Sequence, residues 1–189
     1  ESDAVLYTHA GPEVAVASTK AFVAQITAAY LLGLYLAQVK GAMFRDEIHQ
    51  MLDSLKDMPR KIQWVLDTQP KTIQAAAERM VNANSFLFLG RHVGYPVALE
   101  GALKLKEIAY TFTEGFAAGE LKHGPIALVD EGEPVVFIVP PQRGRNVLHA
   151  KVISGIEEVK ARGAYIIAVA EQGDPDVERY ADVVFWRPA

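Results

Sequence analysis

Glu100, Lys104 and Glu107 are spaced i, i+4 and i+7. On an α-helix that spacing gathers them on one stripe about 60° wide. A carboxylate so placed can take up a proton, and an ammonium one turn away can steady an oxygen that gains negative charge. Farther along, Lys122, His123, Gly124 and Pro125 make a turn that holds an imidazole, the side chain that titrates closest to neutrality. These groups make an acid–base kit. The same pattern also serves a plainer purpose, because Glu and Lys one turn apart stabilise a solvated helix face by about 0.2–0.5 kcal/mol. A lone histidine is more often structural or simply exposed. Spacing by itself leaves both readings open.

The elements that must carry these groups are legible around them. Residues 86–89 (FLFL) read as a buried strand that breaks at Gly90. Pro96 falls where the first turn of a helix tolerates a missing N–H, and strong helix formers continue to about Tyr110. Val97, Ala98, Gly101, Ala102, Leu105, Ile108 and Ala109 lie on an arc beside the charged stripe and are expected to pack on a sheet. Apolar runs at 134–139 (PVVFIV), 165–170 (YIIAVA) and 181–186 (ADVVFW) read as further strands. Between them come a helix from about Asn146 to Ala161 and a loop through Gly173, Asp174 and Pro175. Strands with few polar interruptions, alternating with helices, imply parallel pairing buried on both faces. The expected fold is α/β: a doubly wound, flavodoxin-like three-layer α/β/α sandwich with a parallel sheet, from about Lys71 onward. Sites in such folds sit at the carboxyl ends of strands, which draws attention to the turn at 90–95.

Upstream, residues 4–8 (AVLYT) are β-prone and Gly11-Pro12 ends the run. Ser18 and Thr19 precede the long apolar helix of residues 21–39, where a hydroxyl can cap the helix or the free N–H groups can take an anion such as a phosphate. Helical periodicity continues at 43–56, at 61–66 and, with Ile73, Ala76, Ala77, Met80 and Val81 inward, at 71–82. Thr68-Gln69-Pro70 is the expected linker.

The chain has 189 residues, half of them hydrophobic and 22% charged, which excludes wholesale disorder. A formal charge of −4, with Arg and Lys scattered, leaves no footprint for nucleic acid. The absence of cysteine excludes disulfides, thiolate metal sites and a cysteine nucleophile, and suits the cytoplasm. The chain opens Glu1-Ser2-Asp3, so no signal peptide is expected. Residues 21–39 have the length of a membrane span, but Gln25, Thr27 and Gln38 interrupt them. A helix buried on most sides, and no membrane partner, is the expectation. His9, His49, His92, His123 and His149 lack ligand-like spacing, and there is no GxGxxG or P-loop, so neither a metal nor a cofactor is expected.

GPEVAVASTKAF (11–22), GRHVGYPVALEGALKLKEIAY (90–110) and TEGFAAGELKHGPIALV (113–129) closely resemble the isomerase part of the glucosamine-6-phosphate synthases. These are glutamine–fructose-6-phosphate aminotransferases (isomerizing), whose synthase half contains two sugar isomerase (SIS) subdomains. The resemblance runs essentially end to end. It implies that residues 1–69 are the end of a first SIS subdomain and residues 70–189 most of a second. It also implies amination and isomerisation of fructose 6-phosphate, with glutamine-derived ammonia, to glucosamine 6-phosphate for UDP-GlcNAc biosynthesis.

Carried over residue by residue, the resemblance makes Glu107 the base that moves the proton between C1 and C2. Lys104 becomes the cation beside the oxygen that gains charge, and His123 the residue of sugar ring opening, reaching into a neighbouring subunit's site. Glu100 becomes a positioning carboxylate, while Val16 and Ser18 become contacts to the sugar phosphate. A homodimer with a shared site and a glutaminase domain in the full-length enzyme are the implied partners. The family's first phosphate loop, its C-terminal lysine tail and its glutaminase domain have no counterpart in residues 1–189. The expectation is therefore a fragment with little or no activity alone. Other SIS-type isomerases or deglycases, and non-catalytic sugar-phosphate sensors, share the pattern in part; a sensor needs a phosphate site but no base.

Overall fold

A computed structural model of the chain describes residues 3–142 and 147–189. The chain divides into two compact units, Glu1–Arg60 and Lys61–Ala189.

The first unit holds α1 (Lys20–Val39) and α2 (Arg45–Lys56). Residues 4–8 form no strand there and are almost entirely exposed, since no strand lies beside them to complete a ladder. The expectation of a helix buried on most sides also fails in this chain. Leu34 is the buried residue of α1, while Val23, Ile26, Leu32, Tyr35 and Leu36 are exposed. The helix is apolar nearly all round, and α2, amphipathic with Ile48 inward, is too short to cover it. By length and composition α1 would also cross a membrane, a property it shares with core helices of soluble proteins.

The helix α3 (Met58–Thr68) spans the division between the units, and α4 (Pro70–Arg79) follows directly. The expected linker at Thr68-Gln69-Pro70 is therefore a tight helix–helix junction. Gln69 is 5% exposed, and its side-chain oxygen accepts a hydrogen bond from the Trp186 N–H at 2.9 Å. Pro70 starts α4 without wasting a donor.

The second unit is built on five parallel strands in the order β2-β1-β3-β4-β5. These are β1 (Ser85–Gly90), β2 (Phe112–Ala117), β3 (Pro134–Ile138), β4 (Tyr165–Glu171) and β5 (Val183–Arg187). Between them run α5 (Gly94–Ala109), α6 (Val147–Lys160) and α7 (Pro175–Tyr180). The expected start of α6 at Asn146 lies outside the described residues. Period-two alternation sorts β1 between two cores. Phe86 and Phe88 join Ala98 and Ala102 of α5 on one face, and Leu87 and Leu89 join Val152, Ile156 and Val159 of α6 on the other. This is the expected doubly wound α/β/α sandwich. Its strand order reverses between β1 and β3, which puts a crevice at their carboxyl ends.

Two elements were not apparent in sequence. The edge strand β2 carries Glu114 and Gly115, and its buried Thr113 is satisfied by donating to the Ala102 carbonyl at 2.6 Å. The short helix α7 replaces the expected loop, with Asp174 as N-cap accepting from the N–H groups of Asp176 and Val177.

Candidate active site

The sharp turn from β1 into α5 depends on Gly90. A Cβ there would lie 2.0 Å from the Gly94 carbonyl oxygen. The helix then seats itself through small residues: Ala98 and Ala102 are buried, Gly101 lies against the Phe88 ring, and Leu99 fills the space above Gly115 of β2. Val97, Ile108 and Ala109, expected to face the sheet, are exposed, because the contact with β1 and β2 is narrower than the apolar arc.

That seating turns the charged stripe to the flank of α5. The Lys104 ammonium donates to Glu107 Oε2 at 2.8 Å and lies 3.4 Å from Glu100 Oε1. The three side chains are 23%, 29% and 24% exposed in that order, so they are covered but reachable. The hydrogen bond to Glu107, helped by Glu100, raises the Lys104 pKa above its ordinary value. Its charge is therefore permanent at neutral pH. An ammonium has three N–H donors; two point toward carboxylates and the third is available to an incoming oxygen. The arrangement can hold a base beside a cation, which is what enolisation requires.

The triad runs along α5 away from the strand ends. Glu107 lies in the last turn of α5, about 20 Å along the axis from Gly94 at the crevice. His123 stands on a separate 3₁₀ turn, Leu121–His123, after β2. It is exposed and, among the described residues, makes no hydrogen bond or ion pair with the triad. Other charges, which no local pattern groups, lie beyond the ends of β1 and β2. A cavity of about 240 Å³ there is lined by Arg91, Gly119, Lys122, Lys151, Ser154 and Glu158 among others. Arg91 and Lys151 lie 60 residues apart in sequence, so no local pattern connects them.

Val16 and Ser18 belong to the first unit, on the approach to α1. Val16 is 83% exposed and Ser18 is half-buried. Neither Ser18 nor Thr19 caps α1 with its own oxygen. The cap is Glu13, whose carboxylate accepts from the Ala21 N–H at 2.9 Å and from Thr19 N–H and both hydroxyls at 3.3 Å. The Ala21 amide is the chief cause of a Glu13 pKa below the usual carboxylate value. The helix terminus expected to favour a phosphate is thus already served by the chain's own anion.

The histidine spacing concealed one cluster. His149 Nε2 lies 2.7 Å from Asp174 Oδ2, and Asp176 is close enough that all three ligand atoms fall within 4.8 Å of one another. Asp174 already serves α7 as its cap, Gln142 donates to Asp176 at 2.8 Å, and His149 and Asp174 are both buried, so the group reads as structural.

The SIS domain family model matches residues 79–188. Over its full length the chain is 64% identical to the glutamine–fructose-6-phosphate aminotransferase (isomerizing) of Corynebacterium efficiens, of which it covers 30%. It is 58% identical to that of Streptomyces coelicolor, covering 31%. Its structure is similar to the C-terminal domain of glucosamine-fructose-6-phosphate aminotransferase from Francisella tularensis. The TM-score there is 0.86 at 36% identity, over 96% of this chain and 50% of that one. The fold also matches the sugar isomerase domain of an RpiR transcription factor from Sphaerobacter thermophilus, with a TM-score of 0.54 at 17% identity over 72% of this chain and 74% of that one. Fold alone therefore does not select a function. The chain spans about 30% of the length of the curated relatives it matches. With the family model covering most of its residues, including α5 and the 3₁₀ turn of His123, the chain belongs to the SIS domain family.

Proposed function

We propose that this chain is the isomerase segment of a larger enzyme that makes glucosamine 6-phosphate from fructose 6-phosphate and ammonia released from glutamine. The observation that carries this reading is the Lys104 ammonium held between Glu107 and Glu100 on the flank of α5. In this reading Glu107 takes the proton from C1 of the open-chain sugar and returns it at C2. Lys104 gives its remaining N–H to the oxygen that gains charge, and Glu100 fixes the ammonium in place. His123 opens the sugar ring. Its position outside the triad's hydrogen-bond network supports a role in the site of a neighbouring subunit, hence a homodimer. The exposed apolar face of α1 also needs cover, from a second subunit or from the rest of a longer chain. Val16 contacts the sugar phosphate through its backbone and Ser18 through its hydroxyl, which exchanges the Glu13 carboxylate for the phosphate.

Residues 1–69 then form the last part of one SIS subdomain and residues 70–189 most of a second. The enzyme acts in the cytoplasm, in the supply of amino sugars for UDP-GlcNAc. A base beside a permanent cation distinguishes this reading from a sensor, which needs neither. Product analysis of the full-length protein decides it. Glucosamine 6-phosphate formed from fructose 6-phosphate and glutamine is the expected result. Binding without turnover, or isomerisation indifferent to an amine donor, would overturn it.

A further inference from the structure

The crevice at the carboxyl ends of β1 and β2 carries charge that the proposed reaction does not use. Arg91 follows β1 directly, Gly119 follows β2, and Lys151 and Ser154 come from α6. Three cations and one carboxylate line the cavity. The carboxylate is already committed: Glu158 pairs with Lys122 at 2.8 Å and lies 3.5 Å from the Ser154 hydroxyl. Among the described residues, Arg91 and Lys151 have no carboxylate partner. Two positive charges therefore look into one concave space without compensation.

The loop after β2 lies against the Arg91 fork: a Cβ on Gly119 would be in contact with a terminal guanidinium nitrogen at 3.4 Å. Arg91 itself is half-buried, and its planar fork suits bidentate recognition of an oxyanion. At about 240 Å³ the cavity is smaller than the range typical of drug-sized ligands, and fits a compact oxyanion. It lies beyond the carboxyl ends of two parallel strands, the end of the sheet at which doubly wound folds bind ligands.

We propose that Arg91, Lys151 and Ser154 form a binding site for a phosphate group, separate from the Glu100/Lys104/Glu107 triad. Arg91 grips two oxygens through its fork and Lys151 supplies a point charge, while the Ser154 hydroxyl turns to the anion from its long 3.5 Å contact with Glu158. The inference stands whether or not the triad performs the proposed isomerisation. The group belongs either to free phosphate or to a sugar phosphate, and the two share this recognition chemistry.

Radiolabelled inorganic phosphate is titrated into the full-length protein at fixed ionic strength, so that screening is constant across the series. Wild type, Arg91→Gln, Lys151→Glu, the milder Lys151→Gln and Glu107→Gln are compared, each checked for an unchanged melting temperature. Lys151 is exposed on α6, so its variants fold. Affinity falls at least tenfold in Arg91→Gln and Lys151→Glu, less in Lys151→Gln, and is unchanged in Glu107→Gln. Competition by fructose 6-phosphate at equal or lower concentration assigns the site to a sugar phosphate, and its failure to compete assigns it to free phosphate. No phosphate binding to the wild type, or binding equally strong in the Lys151 and Arg91 variants, would overturn the proposal. Loss of binding in Glu107→Gln alone would place the phosphate at the triad and overturn it as well.

Discussion

Glu107→Gln separates chemistry from architecture at the triad. The amide keeps the length of the side chain and an oxygen that can accept from Lys104, now 2.8 Å from Glu107 Oε2. What it loses is the capacity to hold a proton. A positioned general base contributes about 10²–10⁴-fold, or about 3–5 kcal/mol of barrier. The ion pair is itself reachable by water, and such pairs add little to folding. Glu100 remains to hold the ammonium. The variant is therefore expected to melt within about 3 °C of the wild type while its turnover falls at least a hundredfold. The direct assay follows exchange of the C1 proton of fructose 6-phosphate with D₂O by NMR, in the full-length protein, because it reports enolisation without requiring ammonia. Exchange within threefold of the wild type would remove Glu107 from the role of base. A fall in exchange matched by a large drop in melting temperature would mean that the carboxylate is structural.

Three further perturbations test neighbouring parts of the argument. Lys104→Met removes the donor but not the base, and kcat is expected to fall about 10²–10³-fold, as for loss of one oxyanion donor; unchanged kcat in a steady-state assay would show that the third N–H meets no substrate. Gly90→Ala puts a methyl group against the backbone of Gly94 and Tyr95, atoms that cannot swing aside, and should cost about 3 kcal/mol or more in chemical denaturation. A normal midpoint would mean that the β1–α5 turn can relax. The Glu13 carboxylate has a pKa lowered in the fold, so the order it gives to residues 18–21 is present above the ordinary carboxylate value and is lost as pH falls through the lowered one. Hydrogen-exchange protection at the Ala21 amide should follow that curve in the wild type and be low at all pH values in Glu13→Gln. Equal protection in both would assign the cap to another group.

What could be read from the sequence follows from how far each signal reaches along the chain. The strands β1, β3 and β4 announce themselves because burial on both faces demands uninterrupted apolar residues. The edge strand β2 has no such demand. Its Thr113 is tolerable in the core only because the Ala102 carbonyl, brought over it by α5, accepts its proton. Gln69 follows the same rule: a polar residue before a proline looks like a linker until the Trp186 N–H, 117 residues away, reaches its oxygen. The charged stripe shows both sides of this rule. That Glu100, Lys104 and Glu107 share a face is fixed by the helix alone, but how far they lie from the strand ends is fixed by where α5 starts, at Gly94. The cations of the crevice could not be grouped before the fold existed, since Arg91, Lys122 and Lys151 come from three separate segments. Apolarity has the converse limit. The hydropathy of α1 states that the helix must be covered, and the exposure of Ile26, Leu32 and Tyr35 shows that α2 does not cover it. The residue pattern fixes the need for a partner surface, while the partner is specified only by residues that pack against it.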